Sequence, residues 1–419
     1  MPPDLTLTPH GMAHGGEAVA RAPDGRAVFI AGGLPDEAVD VQLTDEHTRY
    51  ARGVMLAAPV APSPVRVLAP PCPHFGTWPA RAQDPAGWCG GCQWQHVAYE
   101  AQLVYKADAL RDTLRRIGGI GEPVVHPTAG MADPWRYRNQ VRLHASGGGL
   151  AYVAVDGEHA LPVSTCLIAH PLVWELAEAL EGELPDGEVT LRAGLGTGDQ
   201  MVVLTGMTAE LEFLEVTLDV SVVVVDEDGR TGVAAGRPYL VERLAGHDFV
   251  VPAQSFFQVN TVMAELLVER VRALVPSGLG TLLDLHSGVG TFAVLLADRA
   301  REIYAIEADP DAVAAAVDNA AGLEHVTLVE ADAAEGLAEL GLKPDLVVVD
   351  PPRTGLDQAT VRLLAEQVHD TIVYVSCEPS TLARDAGQLT AAGWRLTESW
   401  PVDMFPQTYH VESVNLFQR

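Results

Sequence analysis

The chain has 419 residues, 48% hydrophobic and 20% charged, a composition that excludes a disordered polymer. No apolar run reaches the length of a membrane-spanning helix, and the opening MPPDLTLTPH lacks the segments of a secretory signal, so a cytoplasmic protein of two or three domains is expected. The formal net charge of −29 argues against a broad nucleic-acid-binding surface, although residues 61–150 alone carry three more basic than acidic groups.

In chain order, short alternating runs at 17–21, 27–30, 39–43 and 51–56, separated by Gly and Pro, predict a small β-barrel. Pro59, Pro62 and Pro64 mark a linker, and a loop dense in Pro, Gly, Trp and Cys follows over 71–94. Apolar residues at Leu103, Ala107, Leu110, Leu114 and Ile117 predict an amphipathic helix within 95–117, ended by Gly118-Gly119. Residues 135–250 read as strands with one helix near 171–182. Apolar runs at 281–286, 302–307, 326–330, 345–349 and 371–376 then alternate with helical stretches, the rhythm of a parallel sheet covered on both faces. The runs 394–400 and 410–417 leave no room for a helix between them and predict an antiparallel hairpin at the sheet edge.

The ends of these strands carry candidate chemistry. Asp284-Leu285-His286-Ser287-Gly288-Val289-Gly290-Thr291-Phe292 reads as strand, glycine turn and helix start, where the backbone can approach a ligand lying over the strand end. Glu307 ends the next strand, where a carboxylate can accept both hydroxyls of a ribose. The run from Gly288 to Ala293 also fits the G-x-G-x-x-A dinucleotide fingerprint, so a nicotinamide enzyme stays open on this stretch alone. The fourth run ends in Asp350-Pro351-Pro352-Arg353, and the fifth delivers the Cys377 thiol to the same edge in Ser376-Cys377-Glu378-Pro379. With Glu412 on the terminal hairpin, a nucleophile and two acids meet at one edge, as an active site requires. A lone cysteine more commonly fills a core.

The other four cysteines, Cys72, Cys89, Cys92 and Cys166, are poor candidates for structural disulfides in a cytosolic chain. A C-x2-C pair with two further cysteines ligates zinc or a [4Fe–4S] cluster equally well on spacing. Trp135 and Tyr137, beside Arg136 and Arg138, read either as platforms for RNA bases or as core aromatics.

Together these segments resemble the RumA/TrmA family of RNA uridine-C5 methyltransferases over essentially the whole chain. Residues 5–58 look like its TRAM module, an OB-like RNA-binding barrel. Cys72 and Cys89-Gly90-Gly91-Cys92-Gln93-Trp94-Gln95-His96, with the distant Cys166, resemble the iron–sulfur motif of the RumA branch. Gln254-Ser255-Phe256-Phe257-Gln258-Val259-Asn260 resembles the F-x-Q-x-N signature, and the glycine turn, DPPR and SCEP segments match in order and spacing.

The resemblance implies an α/β protein: an N-terminal TRAM-like β-barrel (1–58), a central α+β domain with the metal-cluster loop (59–250), and a C-terminal Rossmann-like class I methyltransferase domain (251–419). Helix 95–117 would pack on that last domain. The implied cofactors are S-adenosyl-L-methionine and a [4Fe–4S] cluster on Cys72, Cys89, Cys92 and Cys166. The implied catalytic residues are Cys377 as nucleophile and Glu412 as base, with Gln258, His286, Gly288, Gly290, Thr291, Glu307, Asp332 and Asp350 around the methyl donor and the uracil. The implied partner is 23S rRNA, with a tRNA T-loop as the alternative, acted on by a monomer.

The chain departs from the family's D-L-F-C-G-x-G-N-F loop by holding His286, Ser287 and Thr291 at the Phe, Cys and Asn positions. The first cysteine gap encloses 16 residues, so the stretch 75–88 must loop out if a cluster is kept. Two rival readings are an RNA-binding metalloprotein that has lost catalysis and a nicotinamide-dependent reductase, the latter leaving Cys377 and Glu412 unexplained.

Overall fold

The computed structural model describes residues 4–147, 149–180, 186–207 and 219–419. Residues 5–55 form a six-stranded sheet in the order Leu5–Leu7, Val39–Glu46, Tyr50–Met55, Ala27–Ala31, Ala18–Arg21 and Gly11–Met12. Its inward positions alternate as a half-buried sheet requires, and Ala20, Val28, Ile30, Val39, Val41 and Met55 close one core. Two strands escape sequence reading because at two and three residues they show no period. Val39–Glu46 outruns its predicted end because, past a bulge at Leu43/Asp45, it carries exposed acidic residues instead of alternation.

A seven-stranded sheet follows, in the order Thr231–Ala235, Ser221–Val225, Gln200–Thr205, Gly187–Ala193, Gln140–Ser146, Gly149–Val153 and Ala160–Pro162. Helix Pro171–Leu180 covers it through Val173, Leu176 and Ala177. The predicted end of that helix, 181–182, lies outside the described residues. A two-stranded hairpin, Tyr239–Leu244 and His247–Pro252, leads into helix Thr261–Leu274.

The last sheet runs Val326–Glu330, Ala300–Glu307, Leu279–Leu285, Leu346–Val349, Thr371–Ser376, Glu412–Gln418 and Arg395–Val402. The first five strands are parallel; Glu412–Gln418 is antiparallel to both of its neighbours. Alternate residues supply opposite faces: Leu282, Val348 and Val373 one core, and Leu283, Val347, Val349 and Ile372 the other. Burial on both faces explains why these strands read as continuous apolar runs. Strand order reverses between Leu279–Leu285 and Leu346–Val349, which opens a crevice at their carboxyl ends.

Helix Tyr99–Arg116 seats Leu110 and Leu114 in the second of these cores and packs on helix Pro379–Ala391. A Cβ on Gly118 would lie 2.9 Å from the carbonyl of Ala383, so this close approach needs glycine. The same helix buries Lys106, whose Nζ bonds Asp403 Oδ1 and donates to the carbonyl of Phe405 at 3.0 Å. Both side chains of the pair are fully buried. Burial pushes the lysine pKa down, and Asp403 acts in the opposite direction. Removing one partner strands the other charge in the core, at a cost of about 3–5 kcal/mol. Lys106→Met should therefore destabilise the protein by about that amount in urea unfolding, and adding Asp403→Leu should recover much of the loss. A single variant with wild-type stability would show that the pair is energetically silent.

Candidate active site

The crevice is lined from both sides of the strand-order reversal. After Leu285 the chain enters left-handed backbone at His286 (φ 61°), returns to it at Gly288 and Gly290, and starts helix Thr291–Leu295. A Cβ built on Gly288 meets nothing within 4 Å, so the turn faces open space. Gly290 caps the helix with its ideal Cβ 3.2 Å from that of Ala316. Glu307 braces the turn by accepting from the amide of Gly288 at 2.8 Å, and from those of Ala308 and Asp309. Asp332 occupies the N-cap position of helix Ala333–Leu340 without a side-chain capping bond, close enough for its charge to act on His286.

One cavity of about 530 Å³ gathers Gln258, His286, Gly288, Thr291, Glu307, Asp350, Arg353, Cys377 and Glu412. The sequence assigned all of these to one site except Arg353, whose position beside the cavity it left open. Gly290 and Asp332 stand behind the lining as helix caps. Asn260 fixes the Gln258 segment: it caps helix Thr261–Leu274 by accepting from Met263 and donates to the carbonyl of Met404 at 3.1 Å.

The electrostatics of this cavity are acidic. Burial pushes Asp350 up to about 7 and Glu412 well above the carboxylate range, and Asp350 raises Glu412 further. Asp284, behind the glycine turn, is pushed up to about 7 by burial and by Asp350 and Glu307. One oxygen of Asp284 accepts from Ala293; its other oxygen, like one of Glu412, is buried without a partner. Cys377 is pushed up to about 12 by burial, then by Glu412 and Asp350, with Arg353 opposing. A thiolate nucleophile needs positive surroundings, and here the acids outweigh Arg353. Arg384 does not supply them: it holds the carbonyls of Thr354 and Leu356 and pairs with Asp385, clamping the loop after Arg353. Burial lowers His286, leaving a neutral imidazole at the turn.

The remaining cysteines, Cys72, Cys89, Cys92 and Cys166, line a second cavity of about 190 Å³ with Gln95, Arg138 and Tyr152. The stretch 75–88 does not loop out. It folds beneath the cysteines as helix Ala80–Gln83 and the turn Pro85–Gly87, with Phe75 buried against Cys92. Arg81 of this insert is 3% exposed and donates to the carbonyls of Phe75, Cys89 and Cys92. Burial raises the thiols of Cys72 and Cys89, the latter to about 11, and lifts Cys92 still higher. Among the described residues, no group of three or more His, Cys, Asp or Glu is arranged to hold a metal ion as it stands.

A family model described as tRNA (Uracil-5-)-methyltransferase matches residues 207–419, and a TRAM-domain model matches residues 4–56. An RNA methyltransferase of Halalkalibacterium halodurans, itself described as uncharacterized, is 33% identical, with 99% of this chain and 96% of that protein covered. A counterpart in Thermosynechococcus vestitus, described in the same words, is 35% identical, with 98% and 97% covered. The chain belongs to the tRNA (uracil-5-)-methyltransferase family.

The fold of the methyltransferase is shared by a Pyrococcus abyssi tRNA (uracil-54, C5)-methyltransferase in complex with S-adenosyl-L-homocysteine, at a TM-score of 0.72 and 24% identity over 99% of this chain and all of that one. The basic segment of the methyltransferase is largely spent internally. Arg66 pairs with Glu37 and Lys106 with Asp403; Arg111, Arg116 and Arg136 pair with acids on their own turns; Arg81 is buried. Tyr137 is a core aromatic whose hydroxyl donates to the carbonyl of Pro406, and Trp135 packs partly buried near the cysteines. Sequence reasoning passed over Phe256, an aromatic 70% exposed on the rim of the active cavity, although it stands first in the F-x-Q-x-N run. No helix among the described residues is long and apolar enough to cross a membrane.

Alkylation of Cys377 by iodoacetamide, followed on its own peptide by mass spectrometry, should rise with pH throughout the alkaline range, because the thiolate is the reactive form. At mildly alkaline pH, Glu412→Gln should speed alkylation by removing an anion that raises the thiol, and Arg353→Ala should slow it. An ordinary thiol profile that neither variant moves would refute this electrostatic reading.

Proposed function

We propose that this methyltransferase transfers a methyl group from S-adenosylmethionine to C5 of a uridine in RNA through a covalent adduct at Cys377. The observation that carries the reading is the single cavity shared by Cys377, Glu412, Asp350 and the glycine turn with its Glu307 carboxylate. Glu307 takes the ribose hydroxyls of the donor, His286 lies along its adenine, and Gly288 gives its backbone room. Thr291 completes the donor side, with Asp332 acting on His286 from behind the lining, while Gln258 and Asp350 face the uracil. Phe256, exposed at the rim, suits a base turned out of its stack.

Uracil C5 is a weak nucleophile. Addition of the Cys377 thiolate to C6 moves the ring electrons into a C5 enolate, which attacks the donor methyl as the sulfonium carbon–sulfur bond breaks. Glu412 then removes the C5 proton, the C6–sulfur bond cleaves and the thiolate returns. Burial raises both carboxyls and Asp350 raises Glu412 further, which makes Glu412 a stronger proton acceptor than a solvent-exposed carboxylate. A bound sulfonium adds the positive charge that offsets these acids and favours the thiolate.

The four-cysteine cavity fits a [4Fe–4S] cluster in its donor chemistry. The guanidinium of Arg81 is buried on backbone carbonyls, and the ionisable groups that bear on it are the thiols of Cys89, Cys92 and Cys72. A buried cation without a carboxylate is costly, and thiolates held by a cluster would balance it. Such a cluster would cross-link the loop 72–92 to Cys166; the methyl transfer needs no electron from it. Anaerobically purified protein should contain iron and acid-labile sulfide in equal amounts, both lost on substituting Cys89 and Cys92 with Ser; zinc without sulfide would overturn the cluster.

The RNA we favour is 23S rRNA, from the likeness to the cluster-bearing branch. The activity named for the Pyrococcus abyssi enzyme supports tRNA as a second reading. Ribosomal and transfer RNA transcripts made with 5-fluorouridine separate them, because fluorine at C5 cannot leave as a proton. With S-adenosylmethionine, the wild type should form an adduct that survives a denaturing gel and Cys377→Ala should not; sequencing the captured RNA names the target. No adduct where the donor demonstrably binds would sink the covalent mechanism.

A further inference from the structure

The loop between the second and third strands of the TRAM domain docks onto both segments that carry the proposed catalytic residues. On one side, His14 Nε2 lies 2.7 Å from Glu378 Oε1, with 23% and 21% of the two side chains exposed. Glu378 directly follows Cys377 and caps helix Pro379–Ala391, its Oε1 also accepting from the amide and hydroxyl of Ser380. Its own amide is held by the hydroxyl of Ser376, on the other side of the cysteine. Glu378 thus fixes the turn that presents Cys377 through both its side chain and its amide.

On the other side, the loop meets the approach to Glu412. Gly16 sits so close that a Cβ there would lie 2.9 Å from the Tyr409 ring and 3.1 Å from Trp94 Nε1, which donates to the carbonyl of Gly16. The His14 ring meets Tyr409 edge-on, with centroids 6.2 Å apart. The Nδ1 of His14 is buried without a partner. The imidazole thus makes one polar contact inside this interface, and makes it across the domain boundary.

We propose that His14 is a positioning residue that locks the Cys377 turn through Glu378, so that docking of the TRAM domain completes the active site. The proposal rests on the reading of Cys377 as nucleophile. A domain whose fold suits RNA binding would then also set the aim of the thiol. Loss of the contact leaves the Glu378 side chain held by Ser380 alone, without its tie to the TRAM domain, and misplacement of a nucleophile by a fraction of an ångström is enough to slow attack.

The test uses full-length wild type, His14→Ala and His14→Gln, the last keeping a donor near the Nε2 position. Two quantities are measured: the rate of adduct formation at saturating 5-fluorouridine-containing ribosomal and transfer RNA transcripts, and the dissociation constant for the same RNA by filter binding. We expect His14→Ala to slow adduct formation about ten- to a hundredfold with RNA affinity unchanged, and His14→Gln to recover most of the rate. Weaker RNA binding with an unchanged saturated rate would overturn the proposal and make His14 an RNA contact. Equal loss in both variants would overturn it in favour of a packing role. If the wild type itself forms no adduct, the nucleophile reading fails separately. Iodoacetamide alkylation of Cys377 then decides the positioning claim: an unchanged rate in His14→Ala overturns it, and a changed rate restored by His14→Gln supports it.

Discussion

The segment from Asp403 to His410 is held in place by buried polar groups drawn from most of the chain, and the active cavity depends on it. Lys106 neutralises Asp403, and Gln102 exchanges hydrogen bonds with Gln407, which sits in left-handed backbone at φ 69°. Tyr137 and Asn260 hold the carbonyls of Pro406 and Met404, while the amides of Gln93 and Trp94 both reach the carbonyl of Gln407. The network ties the central domain, the signature loop and the last hairpin into one unit. Glu412 follows at once, so its position inherits the rigidity of all of them.

The cavity that results is poised by burial rather than by cations. Three carboxyls, Asp284, Asp350 and Glu412, are raised together with the Cys377 thiol, and Arg353 opposes the shifts of Glu412 and Cys377. Desolvation of this kind favours the neutral forms of all four groups. The arrangement suits a reaction whose methyl donor carries a positive charge into the pocket.

Much of this was legible in the sequence, for reasons that differ by region. The parallel sheet could be read because its strands, buried on both faces, are unbroken apolar runs, and its site because Gly288, Asp350 and Cys377 each stand where a strand ends. The central sheet could not be ordered, since antiparallel strands of mixed burial give no crossover pattern to follow. Arg81 went unread because a four-residue helix has no periodicity, so the insert looked like a loop to be discarded. The local excess of basic residues in 61–150 could not be interpreted from sequence, because Arg66 and Lys106 are neutralised by Glu37 and Asp403, which lie outside that segment. Glu378 was legible only as the neighbour of a cysteine, because its contact with His14 spans the chain.

The placing of strand Glu412–Gln418 between Thr371–Ser376 and Arg395–Val402 has a consequence for synthesis. Both neighbours leave the ribosome first, so the fifth strand waits with an open edge until the later one inserts. A partly made chain holds Cys377, the proposed nucleophile, but not Glu412, the group proposed to release its product. Insertion of the strand seals the exposed edge and delivers that proposed base in the same event. Chains become competent only when they are also protected from pairing with one another.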